Sequence, residues 1–196
     1  MALEMFEQFK EIGRDVFLRG LISSHAGNMS ARVVDRIYIT RKTSMLGKLR
    51  QKDVVEFDLG QDHSQVPLAS SELVVHTAIY EKTSALAVLH AHPPYATLLS
   101  IVEDEIIPVD AEGRHLFTKI PVVSPQKPIG SPESAELVSR QLMDYKIVLV
   151  RGHGSFARGD TLEEAFLYTT SLESASFFLW HLNHAGQISK KYPGEY

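Results

Sequence analysis

The 196-residue sequence predicts an α/β domain in which helices cover a largely antiparallel or mixed sheet. Three observations predict it. Stretches with apolar residues three or four apart interleave with short β-branched runs. Several connections between these runs are of hairpin length, too short for parallel crossovers. No low-complexity linker or internal repeat divides the chain, so residues 1–196 read as one domain, long enough to bury a core.

The elements follow in order. Residues 3–20 place Leu3, Phe6, Phe9, Ile12, Val16 and Phe17 at helical spacing, with Gly20 as the stop. The polar stretch "SSHAGNMSAR" reads as a turn leading into the strand "RIYIT", and "DVVEFD" (53–58) reads as a second strand. A serine cap at Ser70 or Ser71 starts a helix that runs to about Lys82. "ALAVLHA" is a buried strand, with a helix from about Pro94 to Val102 behind it. "IIPVD" and "IPVV" are short strands around an "AEGRH" turn. "SPESAELVSRQLMDY" opens with the serine and proline of a helix start, and "KIVLVRGHG" is a central strand ending in glycine. The last helix, "TLEEAFLYTTSLESASFFLWHLNHAG", ends at Gly186.

Composition narrows the function. The content is 44% hydrophobic and 22% charged, ordinary for a globular protein, and the net charge of −4 argues against nucleic acid as a partner. There is no cysteine, which excludes disulfides, thiolate metal sites and a cysteine nucleophile. Metal ligands must therefore come from the nine histidines and the carboxylates, a set that suits zinc or another divalent transition ion. The first twenty residues lack the apolar block of a signal peptide, and no stretch is long enough to span a membrane, so no membrane partner and a cytoplasmic location are expected.

"VLHAHPPYA" puts His90 and His92 two residues apart, on one face of a strand, before two prolines leave the ladder. Alone, the pair reads equally as two half-exposed histidines with satisfied hydrogen bonds. "IVLVRGHGSF" adds His153 after another strand, between two glycines that permit positive φ and close approach. Three imidazoles with an open position form a catalytic rather than a closed structural pattern. In "LASSELVVH", Glu72 falls in the first turn of the predicted helix, where the dipole favours an ionised carboxylate. Ser70, Ser71 and the free N–H groups there offer an anion pocket, although a capping serine beside a glutamate is also a common helix start. His76 shares the face of Glu72 and reads as a supporting residue rather than a ligand. Gly27, Asn28 and Ser30 offer a second anion cradle.

Taken together and in order, "GNMSAR", "SSE...H", "HAHPPYAT" and "RGHG" resemble the class II aldolase/adducin family, from the first helix to about residue 186. The founding aldolases of that family act on sugar 1-phosphates such as L-fuculose 1-phosphate. The resemblance implies a three-layer α/β/α fold with a central, mostly antiparallel sheet, and a cyclic homotetramer with sites at subunit interfaces. It implies a zinc-like ion held by His90, His92 and His153. It also implies that Glu72 acts as acid and base, ligating the metal when substrate is absent, and that Asn28, Ser70 and Ser71 hold the substrate phosphate. The implied reaction is reversible cleavage of a ketose phosphate to dihydroxyacetone phosphate and an aldehyde. Its chemistry needs a Lewis acid to stabilise an enediolate and a carboxylate to move a proton on the enediolate carbon.

The chain also departs from the family. Where sugar-phosphate aldolases carry a "TPTG"-like loop, this one reads "ITRKTSMLG", with Arg41 and Lys42 introduced and Thr43 in the place of the glycine. The two cations suit a phosphate, a carboxylate or simply a solvated loop. "IIPVDAEGRHLF" has no tyrosine where fuculose-type aldolases supply one from a neighbouring subunit, leaving Glu112 or His115 as substitutes. In the tail, Tyr192 or Tyr196 is the candidate acid. The competing functions are a pentulose-phosphate 4-epimerase, a decarboxylase or dehydratase of the same family, and a non-catalytic adducin-like module. The intact histidine set counts against the module.

Overall fold

Eight strands form one sheet among the residues that the structure, a computed structural model, describes (3–186). They are β1 (Asn28–Val33), β2 (Arg36–Thr40), β3 (Val54–Asp58), β4 (Ala87–Ala91), β5 (Glu105–Ile106), β6 (Ile120–Val123), β7 (Ile147–Val150) and β8 (Gly154–Gly159). Their spatial order is β3-β2-β1-β4-β8-β7-β6-β5, and every pairing is antiparallel except that of β6 with β7. The sheet is thus mostly antiparallel, as the short connections predict.

Alternation along the strands separates two cores. Leu89, Ile147, Leu149 and Ala157 face α1 (Leu3–Leu18), α3 (Pro94–Ser100) and α6 (Leu162–His184). The opposite face, with Val88, Val148, Val150 and Phe156, packs on α2 (Leu73–Lys82) and α5 (Pro132–Gln141). A short α4 (Ala111–Leu116) leans on the first core through Leu116. Each fully buried leucine or isoleucine in these layers contributes about 1.5–3 kcal/mol of apolar transfer energy.

Helix starts carry the expected chemistry. Ser131 Oγ accepts from Ser134 N–H (3.0 Å) with Pro132 next in line, and Thr161 Oγ1 accepts from Glu164 N–H (3.0 Å). α3 borrows its cap: the N–H groups of Tyr95 and Ala96 each donate to the carboxylate of Glu173 on α6 at 3.0 Å. The segment that follows His92 is thereby tied to the longest helix.

The structure corrects several sequence expectations. The turn expected over "SSHAGNMSAR" ends at Asn28, where β1 begins; its residues pair with β2 on one side and β4 on the other. The pairing partners, distant in sequence, override the turn-forming asparagine. "AEGRH" is α4, capped by Asp110 accepting from Gly113 N–H (2.9 Å), rather than a turn. Of "IIPVD" only Ile106 lies in a strand. "KIVLVRGHG" stops at Val150, and a turn returns it as β8, a strand that the sequence reading missed. No serine caps α2; Glu72 itself occupies the cap position, and Ser70 Oγ accepts the Glu72 N–H at 3.2 Å. Tyr192 and Tyr196 lie outside the described residues.

Candidate metal centre and anion pocket

Antiparallel register builds the centre of the site. β4 sits between β1 and β8, with His90 opposite Asn28 on one side and Phe156 on the other. The Phe156 ring stacks on His90, centroids 4.1 Å apart. His92 follows the strand, and its N–H donates to the Leu21 carbonyl (2.8 Å) instead of a ladder partner. His153 lies in the β7–β8 turn, where Gly152 adopts φ +64°. At Gly154 a Cβ would stand 2.3 Å from the Ala91 carbonyl oxygen and 2.7 Å from His92 Cδ2, so only glycine lets this turn close onto β4.

The three imidazoles converge. Ring centroids lie 4.8, 4.8 and 5.0 Å apart, and one ligand atom from each of His90, His92 and His153 falls within 4.8 Å of the others. The Nε2 atoms of His90 and His92 are 3.0 Å apart. Two nitrogens sharing one ion at ~2.0–2.1 Å stand roughly 3–3.4 Å from each other, so the pair is already spaced as ligands.

The remaining ring contacts agree. His90 Nδ1 donates to the Ser155 carbonyl (2.9 Å), which fixes the tautomer and leaves the Nε2 lone pair facing its neighbours. His153 Nδ1 is buried without a hydrogen-bond partner. An orphaned, buried imidazole nitrogen is what a missing ligand bond leaves behind. Burial, reinforced by His92 and His153, holds His90 well below the usual histidine range. Burial and then His153 bring His92 to about 4, and burial also lowers His153. All three are neutral near pH 7, the form that binds metal. The residues fit a divalent ion.

Glu72 is 2% exposed. Gly130 N–H donates to its Oε2 at 3.0 Å, while Oε1 is buried and unpartnered. Gly130 manages this approach at φ +55°, where a Cβ would lie 2.3 Å from the Ser71 carbonyl oxygen. Burial raises the Glu72 carboxyl to about 7 against the opposing pull of the Gly130 N–H. Burial thus works against the helix terminus, which favours the ionised carboxylate, and a cation held by the neighbouring histidines would act on the side of the terminus.

Asn28 is oriented from below. His76, fully buried, meets Asn28 Oδ1 through Nε2 (2.6 Å) and Ser30 Oγ through Nδ1 (2.7 Å), and Ser30 Oγ meets Tyr80 Oη (2.7 Å). Asn28 Oδ1 only accepts, so Nε2 carries the proton; Nδ1 then accepts from Ser30, and Ser30 accepts from Tyr80. Burial lowers His76 to about 3, consistent with a neutral ring. The relay leaves the Asn28 amide nitrogen as a donor for the cavity that Asn28 lines.

That cavity, of about 170 Å³, brings the sequence candidates together: Asn28, Lys42, Thr43, Ser70, Ser71, Glu72, His90, His92 and His153 all line it. Arg41, His25, Ser44 and Ile129 line it too. Ser44 N–H donates to the Arg41 carbonyl (3.2 Å), and of the two central residues only Thr43 has positive φ, at 63°, which makes a type II turn. A β-branched residue there costs of order 1–3 kcal/mol, strain of the kind that concentrates at functional sites. Glu112 and His115, on α4, do not line the cavity of their own chain. Sequence reasoning missed Gly130 and His25. "PIGSP" looks like an ordinary turn, and His25 sits in a polar stretch with no spacing signal.

Comparison with known proteins decides the family. Residues 7–178 match the profile described as Class II Aldolase and Adducin N-terminal domain. The chain belongs to the class II aldolase/adducin family. An L-fuculose phosphate aldolase of Methanocaldococcus jannaschii is 31% identical over 169 residues, 85% of this chain and 91% of its own. A methylthioribulose-1-phosphate dehydratase of Methylococcus capsulatus is 31% identical over 180 residues, 83% of this chain and 86% of its own. The crystal structure of L-fuculose-1-phosphate aldolase from Thermus thermophilus superposes with a TM-score of 0.89 at 32% identity, covering 99% of this chain and 100% of that one. These relatives make this family member an enzyme, a lyase. No helix among the described residues is long and apolar enough to cross a membrane.

Proposed function

We propose that the chain, as a single functional domain, is a metal-dependent aldolase. It reversibly cleaves a fuculose-1-phosphate-like ketose phosphate into dihydroxyacetone phosphate and an aldehyde. One observation carries the reading: a converged three-histidine set, a carboxyl tuned to about 7 and a row of anion donors open onto the same cavity. The similarity to fuculose phosphate aldolases supports it. A cytoplasmic homotetramer is the proposed setting.

His90, His92 and His153 would hold the ion, and three imidazoles favour zinc. When bound, a divalent ion supplies Lewis-acid stabilisation for charge developing on the substrate oxygens. Asn28, Ser70, Ser71 and Thr43 hold the phosphate by hydrogen bonds, with Lys42 adding charge. Glu72 delivers a proton to the carbon that loses its partner when the carbon–carbon bond breaks, and removes it in the condensation direction. A carboxyl near 7 exchanges that proton readily at neutral pH.

The dehydratase relative favours a second reading, because proton movement beside a carbonyl also serves loss of water from a ketose phosphate. The two readings separate in a screen of ketose 1-phosphates with purified, metal-analysed protein. Release of dihydroxyacetone phosphate and an aldehyde, abolished by chelation and restored by metal, is the expected result. Dehydration of methylthioribulose 1-phosphate with no dihydroxyacetone phosphate from any ketose would replace the aldolase by the dehydratase.

A further inference from the structure

We infer that the segment from Arg41 to Asp53 builds a second anion subsite beside the phosphate pocket, and that the substrate is a sugar phosphate carrying a second anionic group. The inference rests on the reading that Asn28, Ser70 and Ser71 take a phosphate.

The charge pattern is the starting point. From residue 36 to 52 the chain carries Arg36, Arg41, Lys42, Lys48, Arg50 and Lys52 and no carboxylate, in a protein of net charge −4. Folding gathers five of these cations around one cavity of about 490 Å³. The single acid in its wall, Asp53, is 6% exposed and already engaged: its Oδ2 accepts from the Arg50 N–H (3.0 Å) and from Arg50 Nε (3.2 Å). Among the described residues the side chains of Arg41, Lys42, Lys48 and Lys52 have no hydrogen-bond or ion-pair partner. Like charges that line one cavity repel one another, and an anion between them removes that cost.

The scaffold is built rather than loose. Leu46 and Leu49 are buried against α1, and Arg41 N–H donates to the Asp53 carbonyl (2.8 Å), closing the loop on itself. Lys42 N–H donates to the Leu68 carbonyl (3.0 Å), which anchors the other side. The cations therefore project from a fixed backbone.

Continuity with the candidate site identifies the ligand class. His25, Arg41, Lys42, Thr43 and Ser44 line both cavities, so one molecule can touch both. The cavity at the histidines, about 170 Å³, is small for a substrate pocket, whereas the cationic one falls within the usual range of roughly 300–1,000 Å³. A phosphate held at Asn28, Ser70 and Ser71 leaves Lys48 and Lys52 available for a carboxylate or a second phosphate.

Calorimetric binding tests this, at low salt because exposed charges are screened. The probes are glycerol 1-phosphate, with one anionic group, erythronate 4-phosphate, with a carboxylate added, and ribulose 1,5-bisphosphate, with a second phosphate. Purified protein should bind at least one two-headed probe about tenfold or more tightly than glycerol 1-phosphate, the gain from one or two charge-assisted contacts. Whichever probe shows the gain names the second group. In Lys48→Ala/Lys52→Ala, whose two lysines are exposed, that advantage should vanish while glycerol 1-phosphate affinity stays within about twofold. Equal affinities in the native protein, or an advantage that survives the double substitution, would overturn the second subsite and leave the phosphate pocket standing. The pocket itself fails separately, if glycerol 1-phosphate does not bind or binds Ser70→Ala unchanged.

Discussion

At the scale of single residues, Glu72 is the proposed acid–base. Its carboxyl is buried, has one oxygen on the Gly130 N–H and the other without a partner, and is raised by burial to about 7. If Glu72 moves the proton, Glu72→Gln should fold and bind metal normally while turnover falls about 10²-fold or more, the scale of a lost general acid–base. Glutamine keeps the shape and an acceptor for Gly130, so packing alone predicts little change. Near-native turnover in Glu72→Gln, on a confirmed substrate, would remove this residue from the mechanism. The sequence singled out Glu72 by its place after two serines. It did not show the burial of the carboxyl, because the dipole of a helix start is visible in sequence and desolvation is not.

Among the elements, the β7–β8 hairpin decides whether the histidines meet. His153 reaches His90 and His92 because Gly154 lets the turn press against the Ala91 carbonyl and the His92 ring. Gly154→Ala would place a methyl 2.3 Å from the backbone oxygen of Ala91, in the central strand β4. The strain, about 1–3 kcal/mol, should appear as a lowered melting temperature. Metal affinity, read by competition with a chromogenic chelator, should drop roughly 10–100-fold, the usual cost of disturbing the groups that orient ligands. A folded variant with native affinity would mean that the hairpin does not set the ligand geometry. β8 itself escaped sequence analysis: "GSFARG" has glycine at both ends and arginine within, a poor strand by propensity. It pairs because β4 and β7 offer ladder partners on both sides.

For the molecule as a whole, the prediction concerns assembly. Leu98, Ile101 and Val102 at α3 and Phe177 and Phe178 on α6 are exposed apolar side chains, the last two 41% and 45% accessible. Such residues support association between copies, and the family resemblance implies a closed tetramer. Analytical ultracentrifugation should give the mass of four chains; the 21.9 kDa of one chain at working concentration would exclude it.

The sequence by itself determined the class of fold and pointed to the residues that line the candidate site. His90, His92, Glu72 and the Ser70–Ser71 pair stand in short local motifs, and local spacing fixes which side chains share a face. It also determined most helices, since periodicity and caps are local signals. Tertiary structure alone decided what lies between distant segments. It turned the Asn28 stretch into a strand, set the His76–Ser30–Tyr80 relay beneath Asn28, brought Gly130 to Glu72 and gave the cationic cavity and the histidine-lined cavity a shared wall at Arg41, Lys42 and Thr43. Strand register, burial and close backbone approach arise between residues tens of positions apart. A carboxyl's acidity and a strand's existence depend on those neighbours, so neither can be read from the residues alone.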